Sequence, residues 1–228
     1  MELLLSYAPL LARGALTTLA LALISLALAT FLGAAATLAR LAGGSIGGAV
    51  TLAYTTLVRG VPDLVMMLIV YFGGQRLINA LLGAVGGAPV AISAFSAGVL
   101  AIGFIYGAYL AETFRGAFQA IPAGQLEAGR ALGLRGLPLA WRVITPQLVR
   151  FALPGYANVW QVLVKSTAVV SVIGLEDLVG LASDAGKTAR APFLFLIAVL
   201  GFYLLLTFAS QQVFDWLQRR HSLVGHAR

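Results

Sequence analysis

The chain has 228 residues, of which 60% are hydrophobic and only 10% are charged, and its mean hydropathy is +0.95. A soluble core cannot hide that much apolar surface, so the composition indicates an all-α integral membrane protein and excludes a soluble domain. The net charge of +7 does not indicate nucleic-acid binding, because basic residues in so apolar a chain set membrane topology. Cysteine is absent and both histidines, His221 and His226, lie in the tail, so no metal or redox site is expected.

Gaps between charged residues predict five transmembrane helices, because each crossing needs about 20 apolar residues. The first of these gaps, between Arg13 and Arg40, contains 26 uncharged residues. The approximate boundaries of the predicted spans, in chain order, are 14–39, 61–82, 93–111, 151–175 and 191–214. The whole chain, 1–228, is therefore predicted to be a single transmembrane domain with one long charged loop over 112–150.

The distribution of lysine and arginine predicts the orientation of these helices. With the N-terminus outside, the inner segments hold ten basic residues and the outer segments hold four. Because positive residues are retained on the cytoplasmic side, this asymmetry favours an outside N-terminus and an inside C-terminus. The loop over 112–150, which carries five arginines, is then cytoplasmic.

Prolines and glycines divide this loop into two short predicted helices. Pro122 suits a first helical turn, residues 125–132 are strongly helix-forming, and Gly133 can end the helix in a left-handed conformation. Pro138 can open a second short helix, which Pro146 stops or kinks. Two short helices joined at an angle suit a hydrophobic groove on a partner protein. An amphipathic helix lying on anionic lipid headgroups is the alternative.

Three charged residues within or beside the predicted spans are candidates for a pathway site, because charges in a bilayer are costly. Lys165, midway along the fourth span, either attracts a substrate carboxylate, snorkels toward the interface or pairs with an acidic group, and the pairing is the commonest arrangement. Asp63 and Glu112 suit a basic substrate better, but each lies near a predicted cytoplasmic helix end, where a local salt bridge is the alternative. Asp63 can pair with Arg59 at i, i+4 if its helix begins early enough.

Uncharged polar side chains inside the spans either link helices or line a pathway. The candidates are Tyr106, Tyr109 and Gln161. Gly103 and Gly107 form a G-x-x-x-G pattern in the third span, which allows close approach within the subunit or between subunits.

Four loop residues stand at a characteristic spacing, namely Glu127, Ala128, Gly133 and Pro146. Their spacing resembles the EAA loop, E-A-A-x3-G-x9-I-x-L-P, of the permease subunits of bacterial ABC importers. Gly129 replaces the second alanine, Val143 replaces isoleucine and Thr145 replaces leucine. These departures leave the implied docking role intact and alter its fine fit.

The resemblance extends over nearly the whole chain, to the polar amino acid branch of this family. The strings that carry it are Arg59-Gly60-Val61-Pro62, Gly107-Ala108-Tyr109 with Glu112, Arg115-Gly116, Gly124-Gln125, Leu153-Pro154-Gly155 and Lys165-Ser166-Thr167. Two further strings, Phe104-Ile105-Tyr106-Gly107-Ala108-Tyr109 and Gly174-Leu175-Glu176-Asp177, are most similar to the shorter permease of histidine/lysine/arginine/ornithine importers and their opine-transporting relatives.

The resemblance implies a type I ABC importer permease fold and a multi-pass location in the bacterial inner membrane. It implies three kinds of protein partner: an extracytoplasmic amino acid-binding protein, a second and homologous permease subunit, and a dimer of cytoplasmic ATPases. ATP and Mg would bind the ATPases, so this chain would hold no cofactor and catalyse no reaction. Glu127 would anchor the ATPase, and Gly133 would orient the second loop helix. The choice among histidine, lysine, arginine, ornithine and the opines stays open.

Two other classes of membrane protein are alternatives. A secondary transporter or channel, working without an ATPase, would usually show more spans and inverted repeats with broken helices near the midplane. A membrane enzyme would need a catalytic constellation, and neither paired acids at catalytic spacing nor a G-x-x-x-x-G-K-[ST] loop occurs in the sequence. A permease driven by a separate ATPase remains the favoured interpretation.

Overall fold

A computed structural model describes residues 2–42 and 44–221, and every regular element in these ranges is helical. The α-helices are α1 Glu2–Ser6, α2 Ala8–Ala42, α3 Gly44–Arg59, α4 Asp63–Leu68, α5 Gly74–Ala84, α6 Ala94–Gln119, α7 Ala123–Ala131, α8 Leu137–Leu139, α9 Thr145–Ser166, α10 Leu178–Thr188 and α11 Pro192–His221. Two π-helical segments, Ile69–Gly73 and Ala140–Ile144, and a 3-10 segment, Thr167–Ile173, continue some of these helices. The basic tail residues His226 and Arg228 lie outside the described residues.

Five helical stretches in the described chain are long and apolar enough to cross a membrane. They are Ala8–Ala42, Asp63–Ala84, Ala94–Gln119, Leu137–Ile173 and Pro192–His221. The predicted all-α class and the number of candidate spans are therefore confirmed. At 1.5 Å per residue, α6 alone is about 39 Å long, which exceeds the hydrocarbon thickness of a typical bilayer.

The loop predicted over 112–150 is shorter than expected. α6 continues to Gln119, and the fourth long stretch begins at Leu137. Pro146 was predicted to stop or kink a separate short helix. It does not stop the helix, because it lies in the first turn of α9, which continues to Ser166. The π-helical segment Ala140–Ile144 immediately precedes that turn. Such a segment shifts the hydrogen-bond ladder by one residue, which accommodates a proline that cannot donate.

The core is centred on α2 and α6, which pack side by side over most of their length. Leu21, Ala29 and Ile102 are fully buried between the central helices. A Cβ atom on Gly103 would lie 2.6 Å from the Leu28 side chain, and one on Gly107 would lie 2.9 Å from Leu32 Cβ. The G-x-x-x-G pattern therefore serves contact within the chain, where α2 and α6 approach closely.

Helix α3 was not predicted, and it packs against the same pair of helices. The Thr51 hydroxyl donates to the Ala36 carbonyl at 3.1 Å, and the Tyr54 hydroxyl donates to the Phe104 carbonyl at 2.6 Å. These bonds attach α3 to the C-terminal half of α2 and to the middle of α6. At 16 residues, α3 is too short to span a bilayer, so hydropathy alone does not reveal it.

The bundle has two distinct ends. At one end, which we call the Arg-rich end, Arg40 of α2 pairs with Glu112 of α6 at 2.9 Å, and Arg150 and Arg219 line one small cavity between α9 and α11. At the opposite end, Arg13 pairs with Glu176 at 3.3 Å. The two contacts of α2 show that its helix runs from the opposite end to the Arg-rich end.

Helix α10 is attached to α2 at the opposite end by a buried N-cap. The Asp177 carboxylate accepts a bond from the Gly180 amide at 2.9 Å, and the Leu178 amide donates to the Thr18 hydroxyl at 3.1 Å. Asp177 is fully buried, and its second oxygen, Oδ2, has no hydrogen-bond partner among the described residues. Burial is the largest influence on this carboxyl and raises its pKa above the ordinary value, although backbone amides oppose the shift.

The raised pKa of Asp177 predicts a pH-dependent stability. The folded chain binds this proton more tightly than the unfolded chain, so stability is greatest below the ordinary carboxyl pKa and falls as the pH rises through the raised value. Asp177→Asn keeps the capping oxygen without the charge and should remove this part of the pH dependence. Asp177→Ala removes the cap and should cost about 1 kcal/mol. Thermal unfolding in detergent between about pH 4 and about pH 8 measures both effects.

The matched control is Asp184→Asn, because Asp184 is exposed and its ion pair within the described residues is with exposed Lys187, three residues away. Its unfolding temperature should stay close to that of the unsubstituted chain. An Asp177→Asn variant that kept the full pH dependence would contradict the assignment to this carboxyl.

Candidate functional site

One face of α6 carries a row of polar side chains through the apolar bundle. Tyr106, Tyr109 and Glu112 follow one another at intervals of three residues, so they lie on the same side of the helix. Tyr106 stands halfway along α6, and Glu112 lies near the Arg-rich end. The structure thus brings three of the predicted site residues into one row.

The centre of the site is a carboxylate held by two hydroxyls. The Tyr106 hydroxyl donates to Asp63 Oδ2 at 2.8 Å, and the Ser166 hydroxyl lies 3.4 Å from the same oxygen. The two hydroxyls are also in hydrogen-bond contact with each other. Tyr106 is almost completely buried, whereas Asp63 and Ser166 are half-buried. Asp63 therefore presents a positioned carboxylate that remains accessible on one side.

Two breaks in the helices meet at this carboxylate. The chain leaves helical geometry between Arg59 and Asp63, and the stretch Asp63–Ala84 begins at the carboxylate itself. On the other side, α9 ends at Ser166, and the next residues form a 3-10 segment. The break explains why the conditional i, i+4 pairing of Arg59 with Asp63 does not form: the two residues do not share a helix. A carboxylate in the first turn is favoured by the helix dipole.

Tyr109 connects the carboxylate cluster to the Arg-rich end. Its ring stacks on that of Tyr106, with centroids 5.5 Å apart and planes 28° apart. The Arg59 guanidinium also lies over the Tyr109 ring, 5.4 Å from its centroid. Stacked rings and a cation over a π face both restrict side-chain movement, so Tyr109 fixes the orientation of Tyr106.

Glu112 is the centre of an ion-pair network. Its carboxylate accepts from Arg40 at 2.9 Å and from Arg115 at 2.7 Å, and the Thr55 hydroxyl donates to it at 3.3 Å. These bonds tie α2, α3 and α6 together at the Arg-rich end. Of the two interpretations that the sequence left open for Glu112, the structure shows the local salt bridge.

The two remaining polar candidates form no hydrogen bond or ion pair with the carboxylate cluster in the described chain. Lys165 is exposed at the end of α9 and forms no ion pair with any residue that the structure describes, so the expected acidic partner is not found within residues 2–42 and 44–221. The Gln161 amide donates to the Thr207 carbonyl at 3.3 Å. Gln161 thus links α9 to α11, which is the commoner role of an uncharged polar residue between helices.

The loop between α6 and α9 ends its first helix as predicted. Gly133 has a φ of +83°, in the left-handed region that favours glycine. The Leu134 amide donates to the Gly129 carbonyl at 3.0 Å, and the Gly133 amide donates to the Arg130 carbonyl at 3.0 Å. This hydrogen-bond pattern is a Schellman cap, which satisfies the last carbonyls of α7 and turns the chain sharply.

Gly129, where the motif has its second alanine, lies at the contact between α7 and the following helix. A Cβ atom there would lie 2.6 Å from Leu139 Cδ1 and 3.2 Å from Val143 Cγ2. Glycine therefore allows α7 to pack closely on α8 and on the π-helical segment. The departure from the motif has a local packing reason.

Four residues of this loop form an exposed surface, which we call the loop surface: Glu127, Leu132, Leu137 and Trp141. The exposed fractions of the three apolar members are 82%, 74% and 69%, respectively. Glu127 forms no ion pair within the described part of the chain. Several large apolar side chains exposed in one loop are typical of a protein interface rather than of a solvated loop.

Sequence reasoning missed two members of the site. Ser166 was noted only within the Lys165-Ser166-Thr167 string, and Arg40 was noted only as a charge that bounds the first span. Ser166 contacts Asp63 across 103 positions of sequence, so neither helical periodicity nor hydropathy relates the two residues. The break of two helices at polar residues was the available signal.

Metal binding finds no support in the described residues. Within residues 2–42 and 44–221, no group of three or more histidine, cysteine, aspartate or glutamate side chains is placed to hold a metal ion. The polar residues of the site are hydroxyls, carboxylates and guanidinium groups, which suit hydrogen bonding and ion pairing.

Comparison with known proteins identifies the family. Residues 29–222 match the family described as binding-protein-dependent transport system inner membrane component. The chain belongs to this family. It is a permease of the bacterial inner membrane that crosses the bilayer several times.

Individual relatives are permease proteins of amino acid and opine transport systems. The histidine/lysine/arginine/ornithine transport system permease protein HisQ of Escherichia coli (strain K12) is 44% identical over 211 residues, which cover 92% of each chain. The octopine transport system permease protein OccQ of Rhizobium radiobacter is 42% identical over 190 residues, covering 83% of this chain and 79% of the relative.

A solved structure of an amino acid ABC transporter with histidines superposes with a TM-score of 0.81 at 30% identity. The superposition covers 95% of this permease and 96% of the solved chain. The permease therefore has the fold of an ABC transporter permease over almost its full length, which confirms that part of the predicted fold class.

The Glu112 network predicts a loss of stability when its centre is neutralised. Glu112→Gln leaves Arg40 and Arg115, which are both less than one third exposed, without a counter-charge. We expect a cost of about 1–3 kcal/mol and a lower temperature of thermal unfolding. Glu176→Gln is the control, because Glu176 pairs with Arg13 where both side chains are about two thirds exposed or more, and it should change stability by about 0.5 kcal/mol or less. Equal shifts in the two variants would contradict the assigned role of Glu112.

Proposed function

We propose that this permease forms half of the translocation pathway of an ATP-driven importer of cationic amino acids, and that Asp63 receives the cationic group of the substrate. The observation that carries the proposal is the carboxylate of Asp63, held by Tyr106 and Ser166 where two helices break beside the middle of α6. An ionisable side chain in a membrane bundle is costly and is therefore a candidate for a functional site.

The carboxylate lacks a counter-charge in the described chain. Within residues 2–42 and 44–221, Asp63 accepts bonds only from uncharged hydroxyls and forms no ion pair. An unpaired carboxylate in an apolar bundle is costly, so a passing cation gains strongly from pairing with it. Lysine, arginine and ornithine carry such a cation, and the relatives named for these substrates support this class.

The proposed orientation places the N-terminus outside and the C-terminus in the cytoplasm. Arg40, Arg115 and Arg150 lie at the same end of the bundle as the loop between α6 and α9. Basic residues are enriched on the cytoplasmic side of membrane proteins, so the Arg-rich end would face the ATPases.

The loop surface is the proposed contact with a dimer of cytoplasmic ATPases, which bind ATP and Mg. Glu127, Ala128, Gly129, Gly133 and Pro146 would form this coupling element. The three exposed apolar side chains of the loop surface would enter a groove on the ATPase, and Glu127 would supply a polar anchor. A secondary transporter or channel has no use for such a surface, which counts against an importer that works without an ATPase.

Two further partners complete the proposed importer. The candidate spans Asp63–Ala84 and Pro192–His221 are largely uncovered in the single chain. A second, homologous permease would cover part of this surface and supply the other half of the pathway. Exposed Lys165 would contact this second subunit. An extracytoplasmic binding protein would deliver the amino acid at the end that holds Arg13 and Glu176.

Substitution of Asp63 tests the substrate proposal directly. Asp63→Asn keeps the hydrogen-bond geometry with Tyr106 and removes the charge. Loss of a charge-assisted contact should lower kcat/KM for arginine or lysine about tenfold or more. The measurement is ATP-driven uptake into proteoliposomes that contain the whole importer with its binding protein.

The control for this experiment is Asp215→Asn on α11, because Asp215 bonds only to Gln211 in the described chain and lies outside the cluster. Its uptake should equal that of the unsubstituted importer. Unchanged kcat/KM in Asp63→Asn would refute the role of this carboxylate while leaving the family assignment intact.

Substitution of Gly133 tests the coupling proposal. Valine is strained at a φ of +83°, so Gly133→Val should turn the loop surface out of position. We expect ATP hydrolysis to continue while uptake falls about tenfold or more. Gly133→Asn is the matched control, because asparagine tolerates the left-handed region and should keep most of the uptake. Uptake and hydrolysis that remain coupled in Gly133→Val would contradict the proposal.

A further inference from the structure

A cationic cavity of about 530 Å³ lies at the Arg-rich end, between the C-termini of α2 and α3 and the last turns of α6. Arg40, Arg59 and Arg115 line it, and the carboxylate in its wall is that of Glu112. Three guanidinium groups against one carboxylate leave an excess of positive charge in a space large enough for a small anion. The proposed pathway for cationic substrates has no use for such a space, because it repels them.

The unused hydrogen-bond donors of this cavity are unevenly distributed. Arg115 is largely engaged, since it binds Glu112 through two nitrogens and Gln119 through the third. Arg40 uses one terminal nitrogen for Glu112. Arg59 is exposed, and its contact in the described chain is with the Tyr109 ring. Donors on Arg40 and Arg59 therefore remain available to a ligand.

The geometry points to a phosphate group as the ligand of this cavity. Guanidinium groups bind phosphate oxygens through paired N–H donors, and two such groups on different helices can hold one phosphate between them. Thr56 also lines the cavity, and its hydroxyl could supply a further donor. Bound phosphate would neutralise the excess charge without displacing Glu112 from its network.

Two sources can supply this phosphate: the headgroup of an anionic phospholipid, or soluble phosphate. The position of the cavity favours the lipid. Exposed Leu52 of α3 lines the cavity beside the arginines, and an acyl chain could lie against this side chain. Arg59 ends α3 and Arg40 lies near the end of α2, and basic residues grouped near the membrane surface attract anionic lipid headgroups.

Lipid binding to the full-length chain in detergent tests the inference. Phosphatidylglycerol and phosphatidylcholine with identical acyl chains are titrated separately, and bound lipid is counted by native mass spectrometry. We expect about a tenfold preference for phosphatidylglycerol, as for a charge-assisted contact. Arg59→Gln should abolish the preference. Arg142→Gln should keep it, because exposed Arg142 lies at the same end but does not line this cavity.

A second arm of the experiment distinguishes the source. Inorganic phosphate is added alone, and its binding is followed as a rise in the thermal unfolding temperature. Stabilisation by phosphate that requires Arg59, with no preference between the two lipids, would assign the site to soluble phosphate. Equal binding of both lipids without stabilisation by phosphate would overturn the inference, and so would a lipid preference that survives in Arg59→Gln.

Arg59→Lys guards against loss of folding in the glutamine variant. Lysine keeps the charge and the contact with Tyr109 but lacks the guanidinium fork, so part of the preference should remain. Arg59→Lys that behaves as Arg59→Gln in binding, while both keep the helical circular dichroism of the unsubstituted chain, assigns recognition to the fork. Full preference in Arg59→Gln is the result that refutes the site.

Discussion

The carboxylate of Asp63 is the constraint on which the rest of the bundle depends. A polar group inside an apolar bundle must find hydrogen-bond partners, because leaving it unpaired costs several kcal/mol. Asp63 therefore has to remain beside Tyr106 and Ser166, which holds the start of α4, the middle of α6 and the end of α9 at one point. The helix breaks at Gly60–Pro62 and after Ser166 become tolerable because their ends are held there. The close packing of α2 on α6 then fixes Tyr106 relative to the remaining helices.

The features that the sequence predicted are those with local causes. Runs of apolar residues gave the five candidate spans, and Gly133 was expected to be left-handed because a helix-forming segment stops there. Contacts between residues far apart in the sequence could not be predicted. Asp63 was assigned a conditional partner four residues away, whereas its partners are 43 and 103 residues away. Pro138 lies in the first turn of the second loop helix, as expected. Pro146 was expected to stop or kink that helix, but a π-helical segment precedes it and the helix continues. α3 escaped detection because it is short and ends in a charge.

The charged residues show why a single chain leaves some questions to the assembly. Glu112 met its partners within the chain, because Arg40 and Arg115 end on the same side of the bundle. Lys165 forms no ion pair among the described residues, although an isolated charge within a candidate span is energetically costly. The difference is physical: Glu112 faces the contact of α2, α3 and α6, whereas Lys165 lies on an uncovered surface. An uncovered cation in an otherwise apolar span is itself a reason to expect a second subunit there.

In the proposed importer, the loop surface and the carboxylate site are ends of one mechanical element. The fourth long helical stretch begins at Leu137 in the loop surface and continues through Trp141 and Pro146 to Ser166, which contacts Asp63. A displacement imposed on the first residues of a continuous helix reaches its last residues as a rigid-body shift, because a packed helix does not compress. The hydrogen bonds of Ser166 to Asp63 and Tyr106 would change with the position of the loop. The π-helical segment Ala140–Ile144 is the part of this helix that can deform during the movement. The stiffness of this segment would therefore determine how much of the displacement imposed by the ATPase is transmitted to the substrate site.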